Sequence, residues 1–162
     1  MLKLHNAAPV SRVYVDFDYY VPVTITWDSY YKAAVPPISV VATGNDILVE
    51  FSQDPEKESI NQITLVTTGK ADVDDVSALP SFYVPGVAVC FDKYSDEDGC
   101  SDLHVLAHGD CIDIRLSDQD VSSWTGSWPV LFGCNEIGEV LHIVVAWDKE
   151  GRTTAVEGIL PR

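Results

Sequence analysis

The chain has 162 residues, 46% of them hydrophobic, and carries 25 Asp and Glu against 10 Lys and Arg, a formal net charge of −15. That length suits one domain, expected over residues 1–162, with a core large enough to need neither disulfides nor a structural metal. The charge disfavours nucleic acid and anionic membrane surfaces, because both are bound through Lys and Arg.

The first elements predicted are strands. Val13, Val15 and Phe17 alternate with Tyr14, Asp16 and Asp18, and Val21, Val23, Ile25 and Trp27 alternate with polar residues and Pro22. A period of two is that of a half-buried strand, and Pro22, which cannot donate to a ladder, predicts an edge or a bulge. Ile38–Ala42 and Ile47–Phe51 flank Thr43-Gly44-Asn45-Asp46, a hairpin turn with residues that accept positive φ. Ile60–Thr67 is the next strand.

Asp72–Leu79 has an acidic start and is stopped by Pro80, which predicts two helical turns. Pro85-Gly86 leads into a strand through Val87, Val89 and Phe91, followed by a polar loop over Asp92–Ser101. Leu103–Ala107 and Cys111–Leu116 are short strands around His108-Gly109-Asp110. Ser117–Trp124 suggests one helical turn, and Val130–Phe132 a brief strand. At the end, Glu139–Trp147 and Arg152–Leu160 flank Asp148-Lys149-Glu150-Gly151 and predict a hairpin with Gly at the turn. Many short strands without a crossover helix predict a mainly β fold: an antiparallel β-sandwich or open barrel with one or two short helices.

Met1–Pro9 is too short and too interrupted for a secretory signal, and no apolar run spans a bilayer. The expectation is a cytoplasmic protein whose four cysteines (Cys90, Cys100, Cys111, Cys134) are reduced.

Cys100, His104, His108 and Cys111 have the residue types of a zinc site. The intervening residues read as a strand, where residues four apart lie roughly 13 Å apart along the chain. Two such side chains cannot close on one ion without a kink, so no metal is expected. Asp92, Asp96, Glu97, Asp98 and Asp102 are dense in hard oxygen ligands, but placing Gly99 at the sixth position of an EF-hand loop puts Tyr94 first and Val105 last, which breaks that pattern. The nucleophile-elbow, phosphate-loop and zinc-protease motifs are missing, so neither enzyme activity nor a cofactor is expected. Trp124, Trp128 and Trp147 could stack on sugar rings or pack the core.

The stretch Asp92–Asp120 holds nine acids against Lys93 and Arg115. Acids are mixed with aromatics elsewhere, in Asp16-Phe17-Asp18-Tyr19-Tyr20 and Asp28-Ser29-Tyr30-Tyr31. Aromatic anchors in an acidic field suit recognition of a basic protein, the rings filling pockets and the charges steering encounter. The partner-binding residues predicted are Asp92, Tyr94, Asp96, Glu97, Asp98, Asp102, Asp118 and Asp120.

In overall character the chain resembles the immunity proteins of bacterial polymorphic-toxin and contact-dependent growth inhibition systems: acidic, single-domain and free of catalytic motifs. The resemblance implies a partner, a cognate toxin domain of basic nuclease type, and a mechanism, occlusion of its active site. It carries over no individual residue. Two alternatives stay open: a carbohydrate- or small-ligand-binding β-sandwich, and a metal-dependent enzyme using Cys100, His104, His108 and Cys111.

Overall fold

The computed structural model describes residues 2–5, 12–56, 59–67, 71–86, 88–91 and 103–159. The chain starts with β1 (Leu2–His5), whose partner comes much later. The next five strands build one sheet: β2 (Val13–Asp16), β3 (Val23–Trp27), β4 (Ile38–Gly44), β5 (Ile47–Gln53) and β6 (Ile60–Thr67). All its pairs are antiparallel, in the order β2-β3-β6-β5-β4. The alternation in the sequence sets its inner face, with Ile47, Val49 and Phe51 of β5 buried beside Ile63 and Leu65 of β6. The β4–β5 turn uses Asn45 and Asp46, both at positive φ. Pro22 lies just before β3 rather than inside it, so no ladder bond is lost.

A second sheet follows: β7 (Asp72–Val73), β8 (Val84–Pro85), β10 (His104–Ala107), β11 (Cys111–Arg115), β12 (Ser123–Ser127), β13 (Val130–Cys134) and β14 (Val140–Ala146). Its order is β7-β10-β11-β14-β13-β12-β8. The two outermost pairs, β10–β7 and β12–β8, are short and parallel, and the rest are antiparallel. The remaining strand, β9 (Ala88–Phe91), pairs with β1.

The two large sheets share one core and neither closes into a barrel. Val23, Ile25, Val49 and Leu65 from one cluster with Val105, Ile112, Ile114, Ile143 and Val145 from the other. Each buried aliphatic of this kind contributes roughly 1.5–3 kcal/mol. Trp27 and Phe132 stack between the sheets, centroids 6.3 Å apart. The fold is thus mainly β, two facing sheets with a short helix. A register shift where β13 meets β14 pairs Cys134 with Val140, so Val140 joins the same core as Ile143.

Three local expectations are corrected. The chain from Arg152 is not a second hairpin arm: Lys149–Ile159 is the α-helix α1. Asp148 caps it, accepting the Gly151 amide at 2.8 Å, and Gly151, Ala155 and Ile159 form a buried stripe at helical spacing. Gly151 serves packing rather than a turn, for a β-carbon there would meet the Phe17 ring at 2.7 Å. Asp72–Leu79 is not helical. After β7 it runs as an irregular strap whose Ala78 and Leu79, with Tyr83, cover Cys111, Leu131 and Val144 on the outer face of the second sheet. Its acids anchor the strap instead of starting a helix: Asp74 accepts the Val76 amide and contacts His108 Nδ1 at 3.0 Å, while Arg152 reaches Asp75 at 2.7 Å. Ser117–Trp124 also forms no helical turn, and its last two residues begin β12.

Among the described residues no helix is long and apolar enough to cross a membrane.

Candidate functional site

The edge strand β2 and the N-terminal end of α1 border an open groove of about 780 Å³. One wall is the run from Val13 to Phe17. The other is built from the Trp128–Pro129 turn, the end of β14 with Trp147, and Asp148, Glu150 and Thr154 of the helix start. The volume lies within the roughly 300–1,000 Å³ of ligand sites.

The groove joins acids with aromatic surface. Asp16, Asp148 and Glu150 supply three carboxylates, and among the described residues its walls contain no Lys, Arg or His. All three acids are exposed. Tyr14 and Trp128 are 42% and 58% exposed, whereas Phe17 and Trp147 meet edge to face with centroids 6.0 Å apart. The Trp147 Nε1 donor is buried without a hydrogen-bond partner among the described residues. At the rim the Arg12 guanidinium lies 5.1 Å over the Tyr14 ring, a cation–π contact made by the chain's own basic residue. Asp148 and Glu150 also suit the positive end of the helix dipole, so capping and surface charge come from the same two side chains.

Two Asp–His pairs lie elsewhere. In the first, His108 is 6% exposed and its Nε2 is buried without a partner among the described residues. The hydrogen bond to His108 holds the Asp74 carboxyl below its ordinary value, against a smaller opposing effect of desolvation. With Nε2 closed off from solvent, this histidine anchors the strap rather than meeting a substrate. The second pair is on the outer face of the second sheet. Asp113, 4% exposed, contacts His142 Nδ1 at 3.2 Å and accepts Arg115 Nε at 2.8 Å. An aspartate that orients an imidazole is half of an acid–base unit. Trp124 abuts the ring edge-on at 6.0 Å, and among the described residues no hydroxyl or thiol donates to it.

The positions expected from sequence are distributed as follows. Asp92, Tyr94, Asp96, Glu97, Asp98 and Asp102 lie outside the described residues, as does Cys100. Asp118 and Asp120 are exposed in the loop between β11 and β12 and do not line the groove. His104 is exposed at the start of β10, while His108 and Cys111 are buried beyond its end. Burial pushes the Cys111 thiol up to about 12, helped by the Asp110 carboxylate, and burial pushes Cys134 up to about 11. Among the described residues no group of three or more His, Cys, Asp or Glu side chains could hold a metal ion. Of the four tryptophans Trp128 alone is broadly exposed. Trp124 lies over Gly133, where an added β-carbon would sit 3.0 Å from its ring.

Sequence reasoning marked Asp16-Phe17 as acid mixed with aromatic but missed Asp148 and Glu150 as their neighbours. Finding them required recognising the helix start at Asp148. The protein is therefore a mainly β protein of two facing sheets and a short helix, with an acidic, aromatic groove among its described residues at the edge of the smaller sheet. It matches no protein-family model and no curated protein sequence.

Proposed function

We propose that this is a cytoplasmic binding protein for a basic protein partner, and that the groove between β2 and α1 is its anchoring site. The partner class we assign is a toxin domain of basic nuclease type, and the chain acts as its immunity protein by covering the active site. The observation that supports this most is the groove itself, where three carboxylates stand beside Tyr14 and Trp128 and, among the described residues, no basic side chain is in the walls. A Lys or Arg that normally holds phosphate finds there both an opposite charge and an aromatic face. The acids of Asp92–Asp120 and the net charge of −15 add a long-range field that speeds encounter.

The test is calorimetric titration with a candidate toxin domain of basic nuclease type, at low and at high salt. The expected result is binding that weakens about tenfold or more as salt rises, together with loss of nuclease activity in the complex. Binding indifferent to salt, or a complex in which the nuclease stays active, contradicts the reading.

A further inference from the structure

We propose that the groove's occupant is an extended segment of the partner that adds as a strand to the free edge of β2, with a Lys or Arg side chain reaching the carboxylates of Asp16, Asp148 and Glu150. This rests on the groove being the partner site and specifies how that site is read.

The ladder determines which backbone groups are free. In an antiparallel pair, residues alternate between exchanging both hydrogen bonds with their opposite number and pointing both groups away. The Asp28 amide donates to the Arg12 carbonyl at 3.0 Å, so Arg12 and Asp28 form a bonded pair. Counting by two along the register, Tyr14–Thr26 and Asp16–Thr24 are bonded pairs, and Val13 and Val15, opposite Trp27 and Ile25, are not. The N–H and C=O groups of Val13 and Val15 therefore point away from β3. That side is the outer edge of the sheet, where among the described residues β2 has no neighbouring strand. Among the described residues nothing bonds these groups, and both residues line the groove.

An unpaired edge is a template for another strand. A segment laid there takes a place about 4.7–4.9 Å from β2 and exchanges hydrogen bonds with Val13 and Val15. Its alternate side chains fall beside Tyr14 and Asp16, which share the exposed face of β2. Charge selects the occupant. Among the described residues the groove's charged side chains are all carboxylates, and Arg12 at its rim already shows the Tyr14 ring accepting a guanidinium. A second copy of this acidic chain would bring like charge to the same place, so the occupant is a basic strand of another protein.

The test uses a short peptide alternating Arg and Val, and a copy N-methylated at alternate amides on its pairing edge. The full chain is titrated with each, and amide hydrogen exchange is followed by NMR. The expected result is slowing of the Val13 and Val15 amides by about tenfold or more with the first peptide, and a comparable loss of affinity with the methylated copy. If the peptide binds and Asp148→Asn with Glu150→Gln weakens it, yet both amides exchange as before, strand addition is overturned while the groove stands as a basic-partner site. Absence of peptide binding at about 1 mM also overturns strand addition. Protection of both amides that depends on protein concentration without peptide overturns it in favour of self-pairing. In none of these cases is the outcome of the nuclease titration decided.

Discussion

Gly158 faces the Tyr19 carbonyl so closely that a β-carbon on it would lie 2.2 Å from the oxygen. With Gly151 against the Phe17 ring, this contact holds α1 to the chain that leaves β2, and so keeps the two walls of the groove together.

Gly158→Ala tests that seam. In an exposed helix the change would gain about 1 kcal/mol, but here the methyl meets backbone that cannot turn aside. A net loss of about 1–3 kcal/mol is expected, read as a lower urea midpoint. Thr153→Ala, on the exposed side of the same helix, is the control and should change the midpoint little.

The strap over the second sheet should respond to acid through Asp110. Burial alone would push this carboxyl up, but the Ser77 hydroxyl and the amides of Ala78 and Leu79 outweigh it and hold it below the ordinary 3.8. A carboxyl depressed in the folded state stabilises fully above its unfolded value, and that contribution is lost as pH falls through the folded one. The urea midpoint of the wild type should therefore exceed that of Asp110→Asn at pH 7, and the gap should narrow below about pH 4.

Cys111 and Cys134 should behave as core residues rather than as reactive thiols. Both are fully buried, and thiols raised to about 12 and about 11 are almost wholly protonated at neutral pH. Site-resolved mass spectrometry after alkylation at pH 8 should show neither labelled in the native protein and both labelled in urea. Fast native labelling of Cys111 would contradict the packing of the strap over it.

Much of the fold was legible in the sequence where a strand has one wet face. The alternation in β2, β3, β5 and β6 places the core of the smaller sheet directly. What was not legible has a physical cause in each case. Thr153, Thr154 and Val156 are β-branched residues that suggest a strand, yet the Asp148 cap and the spacing of Gly151, Ala155 and Ile159 decide for a helix. Asp74 and Asp110 look like solvent acids or caps in sequence, and become anchors only because the topology brings His108, Ser77 and Ala78 to them. The groove was half visible: Tyr14, Asp16 and Phe17 are neighbours in the chain, but Trp128, Asp148 and Glu150 reach them only through the pairing of the sheets.

The most direct test of the groove is a comparison at equal net charge. One variant carries Asp16→Asn, Asp148→Asn and Glu150→Gln, the asparagine at 148 keeping the helix capped. The other carries Glu56→Gln, Asp72→Asn and Glu136→Gln, three exposed acids that do not line the groove. Affinity for the nuclease domain is measured for both at one salt concentration. The groove account predicts a loss of about tenfold or more for the first variant and about twofold or less for the second. Equal losses in the two would show that overall charge, and not this site, holds the partner.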